Sequence, residues 1–66
     1  ARVRVLVFDV SGARVRALVD SPMPAGEQRV TWDGRDDRGR LLASGAYFYR
    51  LEAEGVTQAK KLILLR

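Results

Sequence analysis

Apolar and polar side chains alternate with a period of two along most of this chain. Arg2 to Val10 reads RVRVLVFDV, in which Val3, Val5 and Val7 alternate with Arg2, Arg4, Leu6 and Phe8. β-Branched residues at that spacing predict a strand. Its second face turns apolar at Leu6 and Phe8, so that end is expected to be covered on both sides. Ser11-Gly12 signals a turn, and ARVRALVD, Ala13 to Asp20, reads as the returning strand of a hairpin. The spacing of three between its apolar residues Val15 and Leu18 calls for a bulge or a strand end near Ala17. Ser21 to Gly26 reads as a loop, because Pro22 and Pro24 cannot donate ladder hydrogen bonds.

A third strand is predicted over Glu27 to Asp33, with Val30 and Trp32 on one face. Gly34 to Gly39 follows as a loop, Arg40 to Ala43 as a short strand or extended link, and Ser44-Gly45 as a turn. Ala46 to Glu54 alternates again. Tyr47, Tyr49, Leu51 and Ala53 share one face, and Phe48, Arg50, Glu52 and Glu54 share the other. Glu54-Gly55 then reads as a tight hairpin leading into a last strand, Val56 to Arg66. No stretch keeps helical spacing over three turns. Five or six short strands at regular turn spacing predict an all-β sandwich or barrel.

Size and composition narrow the chemistry. Sixty-six residues make one domain, expected to span 1–66, with a marginal core. There is no Cys and no His, so disulfides, thiolate metal sites and the Ser-His and Cys-His pairs are excluded. The formal charge is +4, and ten of the twelve basic residues are Arg. They are spread along the chain and interleaved with acids, so no nucleic-acid footprint is expected. The longest apolar run, Leu62 to Leu65, falls far short of a membrane helix. The chain enters a strand pattern directly at Ala1, which leads us to expect a module belonging to a longer chain.

The densest candidate for chemistry is WDGRDDRGRLLASGAYFY, Trp32 to Tyr49. Asp33, Asp36 and Asp37 are its candidate metal ligands. Calcium wants six to eight oxygens, usually with carboxylates at alternating positions. Here the EF-hand spacing is absent, and Arg35 and Arg38 compete for the same carboxylates. The alternative is that these Asp residues bond to nearby backbone amides and make a corner between sheets. A paired-carboxylate hydrolase would need a cleft that so small a body can hardly wall. Phe48 is the one aromatic of its cluster that alternation turns away from the expected core. No catalytic residue and no cofactor is expected.

The run VLVFDVSGARVRALVD, then PAGEQRVTWDGRDDRGRLLASGAYFYRLEAEG, then KKLILLR resembles the immunoglobulin-like domain of the flagellar hook-capping protein family. It also looks like the related C-terminal sorting domains of type IX secretion substrates. The WDGRDDRG turn and the SGAYFYRL strand carry most of the likeness. The resemblance implies an immunoglobulin-like β-sandwich of about six to seven short antiparallel strands, without a catalytic role. Trp32 would be a core anchor. Asp33, Gly34, Asp36, Asp37 and Gly39 would shape the loop, and Gly45, Tyr47 and Tyr49 would start the penultimate strand. Family members usually carry a further strand ahead of the equivalent of Val3, so a sandwich one strand short is expected here. Its open edge would lie at Val3 and Val5, with Leu62 and Leu64 of the last strand also placed for pairing.

The function expected from this is a non-catalytic structural or sorting module, C-terminal in a bacterial secreted or cell-surface protein. The expected partners are an upstream domain of the same chain and further copies joined through strand edges, with no nucleic acid and no membrane span. The alternatives are a self-assembling protomer, or a calcium- or carbohydrate-binding module using the Asp-rich loop.

Overall fold

The computed structural model describes residues 2–22 and 31–65. Four strands run through them: β1 (Arg2–Phe8), β2 (Arg14–Pro22), β3 (Gly45–Ala53) and β4 (Val56–Leu64). They form one antiparallel sheet in the order β2-β1-β3-β4. Among the described residues this is the one sheet, with an irregular segment against one face, and the expected sandwich of six to seven strands is not seen among them. Of the expected third strand, 27–30 lie outside the described residues, and Thr31 to Asp33 are not in a strand. Local bonds hold the side chains there instead: Trp32 Nε1 donates to the Arg35 carbonyl and Asp33 Oδ1 accepts from the Arg35 amide. Such short-range bonds offer the backbone an alternative to a ladder. The expected strand or link after Gly39 contributes only an isolated bridge, Leu41 to Arg35.

β1 lies inside the sheet. Val3 pairs with Ser21 of β2 and Ala53 of β3, and Val5 with Val19 and Leu51. The expectation that Val3 and Val5 line an open edge is therefore corrected: both sides of β1 are already filled. The physical reason is backbone pairing: the ladders to β2 and β3 take up the amides and carbonyls on both edges of β1, while its run Val5-Leu6-Val7 buries side chains on both faces. The three side chains are 7%, 2% and 0% exposed.

The first face of the sheet carries Val3, Val5 and Val7 of β1, opposite Ala53, Leu51 and Tyr49 of β3. Leu62 and Leu64 of β4 continue it, opposite Tyr47 and Gly45. The second face carries Arg4, Leu6 and Phe8 opposite Glu52, Arg50 and Phe48. Here ion pairs and stacking supplement apolar contact. Arg4 pairs with Glu52 at 3.1 Å, and the Arg50 guanidinium lies 5.0 Å from the centroid of the Phe8 ring.

β2 departs from regular pairing twice. Val5 pairs with Val19 but Leu6 with Ala17, and Val7 pairs with Arg16 but Phe8 with Arg14. Leu18 and Val15 are thus the extra residues of two bulges. The Val15–Leu18 spacing called for one, and two are found. Ser21 and Pro22, expected in a loop, extend β2 to a pairing with Arg2. A proline is tolerated there because it ends a strand at the sheet's edge.

β3 and β4 meet in a two-residue turn, Ala53 pairing with Val56 across Glu54 and Gly55. Both turn residues have positive φ, 50° and 79°, the arrangement whose twist matches that of the flanking strands. A Cβ at Gly55 would meet nothing within 4 Å, so only backbone strain opposes a side chain there. Gly55→Ala is therefore expected to cost about 1–2 kcal/mol. Urea denaturation should show a lower midpoint at unchanged slope, and an unchanged midpoint would refute this reading of the turn.

Candidate functional site

The acidic loop sits on the first face of the sheet. Trp32 enters it half-buried, its indole packed edge-on to the buried Tyr47 ring at 5.3 Å between centroids and 72° between planes. Tyr47 in turn donates its hydroxyl to the Ala43 carbonyl at 2.8 Å. The loop is thus pinned to the sheet by aromatic contact near its start and by a hydrogen bond near its end. Between them, Leu42 N bonds to the Gly34 carbonyl, and Asp36 N to the Arg40 carbonyl. Gly39 (φ 81°) closes the turn by donating to the Asp36 carbonyl.

Each of the three candidate carboxylates accepts a backbone amide. Asp33 Oδ1 takes the Arg35 amide at 3.0 Å. Asp36 Oδ1 takes those of Arg38 and Arg40 at 2.9 and 3.0 Å, and its Oδ2 lies 3.3 Å from Arg40 Nε. Asp37 reaches out of the loop to β2. Its Oδ1 accepts from Ala17 N at 2.9 Å, and its own amide donates to the Val15 carbonyl at 3.0 Å. These β2 groups lie within the bulged stretch at the sheet's edge, so Asp37 supplies the pairing that a further strand would otherwise give. Among the described residues, no group of three or more acidic side chains is placed to hold a metal ion.

Two further polar residues, one bonded to this loop and one in the β1–β2 hairpin, are not among the expected positions. Arg16 of β2, paired with Val7, points its Nη1 at the Arg35 and Asp36 carbonyls (3.1 and 3.2 Å) and at Asp33 Oδ1 (3.4 Å). No local signal marks it, since it is one Arg among many in an alternating strand. Asp9 closes the β1–β2 hairpin, accepting from the Ser11 and Ala13 amides at 2.9 and 3.1 Å and from the Ser11 hydroxyl. Its signal was legible: Asp two residues before Ser-Gly is a side chain placed to cap its own turn.

The remaining expected positions lie in the loop and on β3 and β4. Gly34 is buried, with φ 77°. Gly45 opens β3 opposite Leu64. Tyr49 is half-buried, between Val7 on β1 and Lys60 on β4. Leu62 and Leu64 are half-buried on β4, which lies at the edge of the sheet.

The electrostatics follow from these bonds. The Ser11 hydroxyl, helped by hairpin amides, holds the Asp9 carboxyl below its ordinary value. The Arg40 and Arg38 amides, with the Arg40 guanidinium, do the same for Asp36. Carboxylates so stabilised are poor general bases at neutral pH. Their chemistry is that of anionic clamps on donors already within the chain.

A small antiparallel sheet with a clamped loop on one face, its three acids bonded to backbone amides, defines a small all-β module. The family model for the FlgD Ig-like domain matches residues 1–57, and the chain belongs to that family, which is structural and non-enzymatic. The match takes in β1 to β3 and ends at the second residue of β4. No curated protein and no solved structure matches.

Three outcomes are expected. Because the Asp9 and Asp36 pKa values are depressed in the folded state, their stabilisation is complete above the ordinary carboxyl pKa of 3.8. It is lost as pH falls through the lower folded values. Thermal melting across pH 2–5 (a range of about three units around the Asp reference) should show an acid limb that flattens in Asp9→Ala and in Asp36→Ala. An acid limb unchanged in both variants would contradict the clamps. Asp37→Ala should destabilise by about 1 kcal/mol through the freed Ala17 amide. Melting of the parent chain should be the same with calcium and with chelator, and a rise with calcium would reopen the metal-site reading.

Proposed function

We propose that this chain is a non-catalytic structural module of a bacterial extracytoplasmic protein, of the kind that serves flagellar hook assembly or carries a secreted protein to the surface. The observation that supports this is where the loop's acids go. Asp33, Asp36 and Asp37 all bond backbone amides, and one of those amides belongs to β2. The most chemistry-like segment of the sequence therefore works on the fold itself. Membership of the FlgD Ig-like family supports the flagellar and bacterial setting, and the likeness to type IX sorting domains supports a sorting role.

Fusion of residues 1–66 behind a folded reporter tests this in a flagellated host and in a type IX-competent host. The reporter is expected outside the cytoplasm in at least one of them. Retention in the cytoplasm of both, with the fusion intact and folded, would defeat the extracytoplasmic reading.

A further inference from the structure

The two outer edges of the sheet are not equivalent. On β2, Asp37 already occupies the Val15 carbonyl and the Ala17 amide. On β4, nothing among the described residues pairs with the outer side, and Val56 to Lys61 are all exposed. Among the described residues, the outer side of a nine-residue strand is thus open along one edge.

The side chains on that edge restrict what can join it. Lys60 projects to the first face and Lys61 to the second, opposite Tyr49 and Phe48. Neither makes a hydrogen bond or ion pair among the described residues, whereas Arg2, Arg4, Arg16, Arg35, Arg40 and Arg50 all have carboxylate partners. The unspent positive charge of β4 therefore sits at the middle of its open edge. Apolar side chains flank it, with Val56 and Ile63 58% and 57% exposed.

A second copy suits this edge poorly. Residue 60 is the midpoint of Val56–Leu64. The full antiparallel pairing of two β4 strands would therefore set Lys60 against Lys60 and place both Lys61 side chains nearby. Like charges directly opposed across a ladder destabilise it, and lysine on an edge is a known guard against self-pairing. The same lysines favour carboxylates. We infer that the β4 edge accepts an extended segment of a different polypeptide, with two adjacent acidic residues set against Lys60 and Lys61 and apolar residues set against Leu62, Ile63 and Leu64. Main-chain bonds supply the affinity, and the paired charges supply partner choice and register. This rests on the structural reading above and adds the chemistry of the partner.

Nine-residue peptides test it on the intact chain. One carries Glu-Glu flanked by Val, Ile and Thr, one carries Lys-Lys in its place, and one repeats the acidic sequence with alternate amides N-methylated. The acidic peptide is expected to bind, with an affinity that falls as salt rises. The Lys-Lys peptide should bind about tenfold more weakly or not at all, as two ion pairs become repulsions. N-methylation should abolish binding.

Lys60→Glu/Lys61→Glu should reverse the preference between the Glu-Glu and Lys-Lys peptides. Lys60→Gln/Lys61→Gln should erase it while leaving the melting curve intact, both side chains being exposed. Binding that ignores N-methylation, equal binding of both charged peptides, binding of neither, or a parent chain that sediments as a β4-joined dimer would each overturn the inference. A chain that binds neither peptide yet still carries a reporter out of the cell would lose this edge and keep its structural role.

Discussion

The bond between Asp37 and the bulged edge strand is the constraint on which the rest of this domain depends. β2 twice breaks register with β1, and on its outer side both the Val15 carbonyl and the Ala17 amide bond Asp37. Asp37 holds one through its amide and the other through its carboxylate. In doing so it fixes the loop against the sheet. Trp32 can then lie on Tyr47, and the face bearing Val5 and Val7 is closed. The loop thus acts as a cap as well as a connection.

A chain of 66 residues has limited apolar surface with which to build a second layer. Here, among the described residues, polar clamps take up part of that task. Arg16 reaches two loop carbonyls and a carboxylate, and Arg35 donates to the Gly39 carbonyl at 2.8 Å. Guanidinium suits this work because its donors form a planar fork and it stays charged at any accessible pH. The Arg-rich composition, which at first invites thoughts of nucleic acid, is largely absorbed by internal carbonyls and carboxylates. The charge left over is unevenly placed, and two of the cations that keep it, Lys60 and Lys61, stand together on the open strand. Composition gave the sign of the excess, and only the topology gave it an address.

Much of the fold was legible in the sequence because its signals are local. Alternation placed β1, β3 and β4 to within a residue or two at most ends. Glu54-Gly55 announced its turn, the Val15–Leu18 spacing announced a bulge, and Asp beside Gly in Trp32–Gly39 announced side chains bonded to nearby amides. Each of these follows from steric or hydrogen-bonding preferences acting over a few residues.

What stayed hidden depends on partners far apart in the chain. Nothing in Val3 and Val5 says that β3, more than forty residues on, fills the side of β1 that the sequence led us to leave open. Nothing in Arg16 distinguishes it from its neighbours until the loop folds over it, and nothing in Asp37 reveals that its bond leaves the loop for β2. A strand's periodicity records which faces are buried, because burial selects side-chain type at every second position. It does not record which strand lies beside it, because backbone groups are the same in every residue. The strands β1, β3 and β4, the turn at Glu54-Gly55 and the absence of thiol and imidazole chemistry were therefore decided by the sequence alone. Sheet order, the inside position of β1, and which edge is capped and which stays open among the described residues were decided only in three dimensions.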